Sequence, residues 1–357
     1  MKLHQGFVEA SVARCFAAVS LYLIATSCIA AEQADVARCA AIANDKERLQ
    51  CYDDAVGRPA PAAPAEAKPS PGEEPLKQLG ITPPAPAAGA IPPTALSIRW
   101  ELDPEAKQGV WNVRPYQPFF LLPVRTTNHP NDSPQSPAHP ISESVDLDHT
   151  ETEFQLSFKV KAWENILSSR ADLWLAYTQQ SQWQVYNSGI SRPFRETDYQ
   201  PEVFVLFPTD YDLLGMKGRF VSLGLVHQSN GRADPLSRSW NRVYAQFGFE
   251  RGNFSLLARP WLRLRESPED DDNPDLVRYM GYGDLLAVYK LGGSEFSLLA
   301  RYNPATGYGA LQGGWSFPIY ERLKGYVKVF TGYGETLIDY NWKQTTVGIG
   351  VLLADWL

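Results

Sequence analysis

Three features are scarce in this 357-residue chain, and each scarcity excludes a class of protein or site. Basic side chains do not outnumber acidic ones: the formal net charge is -7, so no basic excess is available to bind nucleic acid phosphates. Runs of about 20 apolar residues, which membrane-spanning helices need, are absent outside the N-terminus. Only 4 cysteines occur, and no histidine or further cysteine lies near Cys39 and Cys51, which argues against a metal site there.

The N-terminus has the pattern of an export signal, which we predict over residues 1–31. Lys2 and Arg14 precede a short apolar stretch, and small residues follow it, as at a cleavage site. A single membrane anchor is the alternative, but the stretch is short for one. Cys28 follows Ala-Thr-Ser, which suggests a bacterial lipoprotein site. The usual leucine three residues earlier is missing, so lipidation of Cys28 stays open.

Two segments of different composition follow the signal. Residues 32–57 have helical character and contain Cys39 and Cys51. Because exported chains meet an oxidising compartment, we predict a disulfide between these two cysteines. Residues 58–95 are rich in proline and alanine, without periodicity, and hold 11 of the chain's 28 prolines, between Pro59 and Pro93. This composition predicts a flexible linker.

From residue 96 onward, apolar and polar side chains alternate, the pattern of β-strands with one apolar and one polar face. In 153–162, Phe154 and Leu156 share one face, while Gln155 and Lys159 lie on the other. Aromatic residues make up 12% of the chain. The predicted strands lie near 118–126, 152–162, 171–183, 202–208, 219–229, 239–250, 253–264, 280–290, 295–302, 308–317, 322–333 and 344–357.

The number and placement of these strands predict an all-β fold, a 12-stranded antiparallel transmembrane β-barrel over 96–357. A soluble β-sandwich shares the alternation, but it rarely runs to about 12 strands that end at the chain terminus. We therefore expect a multi-pass β-barrel in the cell outer membrane.

Three polar residues interrupt the apolar face of two neighbouring predicted strands. His227 and Ser229 are two residues apart, so both point to the side that carries Leu225, and Asn241 lies on the apolar side of the next strand. In a barrel that side faces lipid, where polar groups are costly unless they hydrogen bond to each other. We expect a hairpin that places Ser229 near Asn241. A serine activated by a histidine, which a third polar group orients, is the arrangement for acyl transfer.

The surrounding sequence is more specific than these three residues. Residues 227–242 match the pattern His-x-Ser-Asn-Gly-Arg-x-Asp-Pro-x-Ser-Arg-Ser-Trp-Asn-Arg at every fixed position. This segment closely resembles the active-site hairpin of the bacterial outer membrane phospholipase A family. Further matching segments are 177–179, 183–184, 193–197, 272–275, 279–282, 306–309 and 332–341. The resemblance covers roughly 112–357 and leaves 32–95 outside it.

The resemblance implies an enzyme that hydrolyses acyl esters of phospholipids (A1 and A2) and of lysophospholipids, with its active site toward the outer leaflet. It also implies a calcium requirement and activity as a homodimer. By position, His227 matches the general base, Ser229 the nucleophile and Asn241 the orienting amide. The backbone N–H of Gly231 matches the oxyanion donor, and such fixed donors contribute strongly to catalysis.

Five positions match calcium ligands of the family. They are Arg232 through its backbone carbonyl, Ser237, Ser191 supplied by the partner subunit, and Asp234 with Asp272 at a second site. Calcium prefers oxygen ligands, so the Arg232 guanidinium is not expected to take part. The acidic run 269–275 holds more carboxylates than the motif needs, and a solvated loop is at least an equal interpretation for the extra ones.

Gln179 shares the apolar face of its strand with Leu173 and Leu175, so its amide needs a partner, and a second barrel can provide one. The resemblance implies that this position bonds across the dimer. Two other functions compete with a phospholipase. A passive porin would leave His227, Ser229 and Asn241 unexplained, and a soluble esterase would need a Gly-x-Ser-x-Gly motif that the sequence lacks.

Overall fold

The computed structural model describes residues 38–55, 93–141, 143–166 and 170–357. The predicted signal at 1–31, Cys28 and residues 58–92 of the predicted linker lie outside the described residues. The chain divides into two units, Met1–Ala90 and Ile91–Leu357. No described helix is long and apolar enough to cross a membrane.

The first unit contains one helix of more than a single turn among its described residues, α1 (Asp45–Ala55). Cys51 lies within this helix, and a disulfide joins it to Cys39, with 5.5 Å between the two Cα atoms. The predicted pairing of Cys39 with Cys51 is therefore confirmed.

The second unit is an antiparallel sheet closed into a barrel. A helix, α2 (Ala95–Trp100), and a short strand, β1 (Val113–Pro115), come first. The remaining strands are β2 (Phe119–Thr127), β3 (Thr150–Trp163), β4 (Asp172–Trp183), β5 (Phe194–Leu213), β6 (Met216–Ser229), β7 (Ser239–Arg251), β8 (Phe254–Leu264), β9 (Gly283–Leu291), β10 (Ser294–Asn303), β11 (Tyr308–Tyr320), β12 (Leu323–Tyr333) and β13 (Lys343–Ala354). One more helix, α3 (Leu276–Met280), precedes β9.

Strands β2 to β13 each pair with their neighbours in sequence, and β13 pairs with β2 to close the ring. The predicted 12-stranded barrel is thus confirmed, and β1 adds only a short pairing to β3. The main difference concerns β5, which runs from Phe194 to Leu213 and not over 202–208 as predicted. Its first part carries the buried acids Glu196 and Asp198, which broke the apolar pattern that sequence reasoning used.

The two faces of the barrel wall have opposite polarity. On β3, Glu153 and Lys159 are fully buried inside, whereas Leu156 is 37% exposed outside. On β6, Leu223 and Leu225 are 54% and 50% exposed. A polar interior with an apolar exterior is the pattern of an outer membrane barrel, because the exterior meets lipid and not water.

An aromatic cluster fills one end of the barrel interior. Trp100 of α2 is buried, its ring lies 4.7 Å from that of Phe220, and the Lys159 ammonium lies 3.5 Å above it. Arg99 of the same helix donates to the Trp356 carbonyl at 2.7 Å. This end therefore holds the chain terminus, and the strands here are joined mostly by two-residue turns such as 252–253.

The opposite end carries the long connections, among them 128–149, 184–193, 230–238, 265–282 and 334–342. Ser229 ends β6 and Ser239 begins β7 at this end. In bacterial outer membrane barrels the long loops are extracellular, so the predicted active-site residues lie toward the outer leaflet.

Candidate active site

The hairpin of β6 and β7 brings His227 directly opposite Asn241 and places Ser229 opposite Ser239. The predicted pairing of Ser229 with Asn241 is therefore wrong by two residues. The cause lies in the connecting loop, where Asn230 and Arg238 bond to each other twice. The Asn230 N–H donates to the Arg238 carbonyl at 3.0 Å, and the Arg238 N–H donates to Asn230 Oδ1 at 2.9 Å.

This pairing joins two of the three predicted catalytic side chains. His227 Nδ1 lies 2.9 Å from Asn241 Oδ1. The amide oxygen can only accept, so Nδ1 carries the proton and Nε2 is left unprotonated in the neutral ring. Nε2 is thereby prepared to accept a proton, as a general base must.

Ser229 lies on the same outward face as His227, two residues further along β6. Among the described residues, no hydrogen bond joins its hydroxyl to the His227 ring. Hydrogen bonds between catalytic groups are often long without substrate and shorten only in the complex. The structure thus brings the predicted nucleophile beside the predicted base without forming their contact.

A fourth residue, which sequence reasoning missed, completes the chain of hydrogen bonds. Asn241 Nδ2 donates to Glu266 Oε1 at 2.7 Å, so the amide is bonded at both ends. Glu266 lies two residues beyond Leu264, the residue that pairs with Asn241 across β7 and β8. Strand periodicity places Glu266 on the same face as Leu264, but its closeness to Asn241 could be predicted only from the correct register of β8 against β7.

The loop after Ser229 has a fixed backbone. Gly231 has a φ of +62°, and a Cβ there would lie 3.1 Å from Tyr199 Cε2, so both conformation and space favour glycine. None of the described residues accepts a hydrogen bond from the Gly231 N–H. The buried Arg238 guanidinium donates to the carbonyls of Pro235 and Ser237, at 3.0 and 2.6 Å, and its burial lowers the pKa of Arg238. The Gly231 backbone N–H is therefore available to an oxyanion, and the loop that carries it is held in place by these bonds.

Three of the predicted calcium ligands converge at the rim of the barrel. Ser237 Oγ donates to Asp272 Oδ2 at 2.7 Å, and Asp272 Oδ1 lies 3.0 Å from His139 Nε2. The same imidazole nitrogen lies 3.5 Å from Asp234 Oδ1. His139 belongs to the loop between β2 and β3, and no motif in the sequence linked it to these residues.

The side chains of the other two predicted ligands make no hydrogen bond to this cluster among the described residues. The Arg232 guanidinium donates to the Arg195 carbonyl at 2.6 Å. Ser191 is exposed in the loop between β4 and β5, at a φ of +66°, and touches none of the other predicted ligands through a hydrogen bond of the described chain. A role for Ser191 at the same ion would require a second copy of the protein.

The acidic run 269–275 is mostly accounted for by local bonds. Asp271 pairs with Arg263 at 2.6 Å, and Asp275 accepts from the Tyr340 hydroxyl at 2.5 Å. Glu269 and Asp270 are exposed. For these two acids the exposure agrees with the interpretation of a solvated loop.

Gln179 lies half-buried on β4 and has partners within its own barrel. The Tyr177 hydroxyl donates to Gln179 Oε1 at 3.0 Å, and Gln179 Nε2 lies 3.5 Å from Ser181 Oγ. The second contact is long, so the amide nitrogen retains donor capacity for a partner outside the barrel.

Comparison with known proteins gives the family. Residues 96–353 match the family model described as phospholipase A1. A putative phospholipase A1 from Neisseria meningitidis serogroup B is 40% identical over 350 residues, covering 89% of this chain and 90% of its own length. The phospholipase A1 of Escherichia coli K12 is 43% identical over 241 residues, covering 68% of this chain and 81% of its own length.

Solved structures agree. Outer membrane phospholipase A from Escherichia coli superposes with a TM-score of 0.64 at 41% identity, covering 70% of this chain and 95% of the other. A variant of that protein, described as an active-site mutant with asparagine replaced by alanine, gives 0.65 at 40% identity, covering 73% and 98%. The Salmonella typhi outer membrane phospholipase, a dimer with bound calcium, gives 0.66 at 39% identity and the same coverage. This chain belongs to the phospholipase A1 family of outer membrane β-barrels.

Proposed function

We propose that this outer membrane phospholipase hydrolyses both the A1 and the A2 acyl esters of phospholipids, and those of lysophospholipids, with Ser229, His227 and Asn241. The observation that carries the proposal is the 2.9 Å bond between His227 Nδ1 and Asn241 Oδ1 on the outward face of the barrel. Polar side chains on a lipid-facing surface are costly even when they are paired, so their presence indicates a functional site. The active-site asparagine of the Escherichia coli relative supports the role of Asn241.

The proton transfers follow from the tautomer. His227 Nε2 takes the Ser229 hydroxyl proton as the serine oxygen attacks the ester carbonyl, and it then returns the proton to the alcohol that leaves. In the second half of the reaction, Nε2 takes a proton from water as the water oxygen attacks the acyl-serine carbonyl. It returns that proton to the Ser229 oxygen as the bond to the acyl group breaks and the fatty acid leaves. The Gly231 N–H donates to the oxyanion in both tetrahedral intermediates.

The outer surface beside His227 suits an acyl chain. Val203, Leu225 and Leu264 line a groove there together with His227 and Asn241. A lipid of the outer leaflet can therefore present its ester to the site by lateral diffusion, with its chains still in hydrocarbon.

We propose calcium at the Arg232 carbonyl and the Ser237 hydroxyl, with Ser191 of a second copy. These donors are oxygens, which suits the ion. Bound there, calcium would supply positive charge beside the developing oxyanion. Asp234 and Asp272, the proposed second pair, fit less well because the His139 imidazole lies between them, and nitrogen is not a ligand that calcium prefers. No step of the reaction is assigned to that pair.

The dimer is part of the same proposal. The Salmonella typhi relative is a dimer with bound calcium. If two barrels share one ion, an isolated barrel lacks a complete site, and an abundant membrane lipid is protected from constant hydrolysis. Gln179 lies on the lipid-facing surface where such a contact would form.

A passive porin is the second candidate, and two observations disfavour it. Within the described residues, the aromatic cluster around Trp100 fills one end of the interior. Further along the interior, Arg125 pairs with Glu151 at 2.6 Å. A porin would also have no use for a bonded histidine and asparagine on its outer wall.

The test is hydrolysis of a labelled phospholipid by the refolded full chain, in calcium and in chelator. We expect turnover in calcium alone. Ser229→Ala should abolish turnover while the barrel keeps its heat-modifiable migration, and a sulfonylating serine reagent should label Ser229 in the wild type. Hydrolysis by the alanine variant at the wild-type rate would refute the assignment.

A further inference from the structure

Asn241 is bonded on both sides, and the second partner carries a charge. Its Oδ1 accepts from His227 and its Nδ2 donates to Glu266 Oε1 at 2.7 Å. Only one orientation of the amide satisfies both bonds, because a flipped amide would set its oxygen against the carboxylate. Glu266 therefore fixes which end of Asn241 faces the histidine.

The surroundings of Glu266 keep its carboxylate in place. Its side chain is 17% exposed, and the Arg263 guanidinium lies 3.6 Å from Oε2. That guanidinium makes its shorter contact with Asp271, at 2.6 Å, so its charge is shared between two acids. Among the described residues, Glu266 Oε2 has no hydrogen-bond partner, and Asn241 is the one group that hydrogen bonds to this side chain.

An asparagine in the orienting role holds the imidazole but supplies no negative charge to an imidazolium. The Glu266 carboxylate acts on the imidazolium through the Asn241 amide, since consecutive hydrogen bonds polarise one another. The bond from Asn241 to Glu266 is charge-assisted, which makes it stronger than a neutral one.

We propose that Glu266 is a positioning residue, which orients Asn241 and through it favours the protonated form of His227 during the reaction. The proposal rests on the proposed function of the Ser229, His227 and Asn241 triad. It assigns no contact between Glu266 and the lipid.

Two substitutions separate orientation from charge. Glu266→Ala removes the acceptor and the charge, whereas Glu266→Gln keeps an acceptor oxygen and loses the charge. We expect Glu266→Ala to lower kcat roughly 10- to 150-fold, the range that hydrogen bonds to charged groups contribute, with KM little changed. Glu266→Gln should fall between the wild type and the alanine variant. Glu269→Gln, an exposed acid in the same loop, is the matched control and should behave as the wild type.

The pH profile distinguishes a positioning role from a merely structural one. Losing the carboxylate disfavours the imidazolium, so the acid limb of kcat/KM should move to lower pH in both Glu266 variants. The charged side chains connected to His227 through Asn241 are Glu266, then Arg263 and Asp271. The two variants alter only Glu266. NMR titration of the His227 ring, assigned with His227→Ala, measures the same shift without turnover.

The outcomes are distinct. If the wild type is inactive, the proposed function fails, and the NMR titration still decides the role of Glu266. If Glu266→Gln has the wild-type kcat and an unshifted His227 titration, the charge has no role and the proposal is overturned. A shift in both Glu266 variants but not in Glu269→Gln supports it.

Discussion

Replacing Asn241 by alanine removes two hydrogen bonds in one step. His227 Nδ1, now 2.9 Å from the amide oxygen, loses its acceptor, and Glu266 loses the donor at 2.7 Å. Ser229 and the Gly231 backbone are untouched. In this variant we expect the His227 imidazole to remain but to rotate freely. We expect the Glu266 carboxylate to be hydrated in place of its bond to Asn241.

The size of the effect follows from these bonds. A hydrogen bond to a group that becomes charged contributes about 1.5–3 kcal/mol. Since each ~1.4 kcal/mol is tenfold in rate, kcat should fall roughly 10- to 150-fold. His227→Ala removes the proton acceptor itself as well as the bond to Asn241. General acid–base catalysis contributes about 10²- to 10⁴-fold to the rate, so kcat should fall by at least that factor. The histidine variant should therefore be the more damaged of the two.

The assay is kcat and KM on a phospholipid dispersed in detergent, with calcium present and equal fractions of folded barrel. Asn253→Ala, in the two-residue turn between β7 and β8 at the far end of the barrel, is a matched control for the loss of an asparagine. If Asn241→Ala were more impaired than His227→Ala, the roles assigned to the two residues would be wrong.

Three other predictions concern the loop and the dimer. Gly231→Ala should lower kcat with little loss of folded protein. Its φ of +62° is strained for alanine and the new Cβ would lie 3.1 Å from Tyr199 Cε2, so the backbone N–H at this position should shift. A wild-type kcat would argue against Gly231 as the oxyanion donor. Calcium should shift detergent-solubilised protein from monomer to dimer, since an ion bound only by the assembled state stabilises it, and activity should follow the dimer fraction; full activity in a calcium-free monomer by analytical ultracentrifugation would contradict this. Gln179→Ala should weaken the dimer by about 0.6 kcal/mol, and by no more than about 1.7, without changing the triad; an unchanged dimer constant would remove Gln179 from the interface.

The barrel was predictable because a single rule governs its wall. Each strand faces lipid on one side and a polar interior on the other, so period-two alternation reports both strand and face. The rule fails where the interior is ionic over many residues. In β5, Glu196 and Asp198 point inward and are buried, and the strand begins at Phe194, well before the apolar run that starts at Val203.

The sequence predicted which side chains share the outer face at the site, but not which residues pair across β6 and β7. Parity alone placed His227, Ser229 and Asn241 on one face. The register depends on how the loop 230–238 closes, and that is set by the side chain of Asn230, which bonds the Arg238 N–H and the Leu236 carbonyl. Glu266 depends in turn on the register of β8 against β7. His139 comes from a loop without a periodic pattern, so no signal in the sequence linked it to Asp272.

If Asn241 is the third member of the proposed triad, the position of the Glu266 charge explains how an amide can serve in that role. Asn241 lies on the outward face within β7, where a carboxylate would meet lipid, and charged side chains on that face are destabilising toward the membrane centre. Glu266 lies two residues beyond the end of β8, where the chain has left the sheet and its side chain is 17% exposed. The arrangement therefore keeps the charge near the aqueous rim, where the cost falls to about 0–1 kcal/mol, while the neutral amide spans the distance to His227. Asn241→Asp should consequently impair the enzyme, because it would set a second carboxylate against Glu266 in place of a donor.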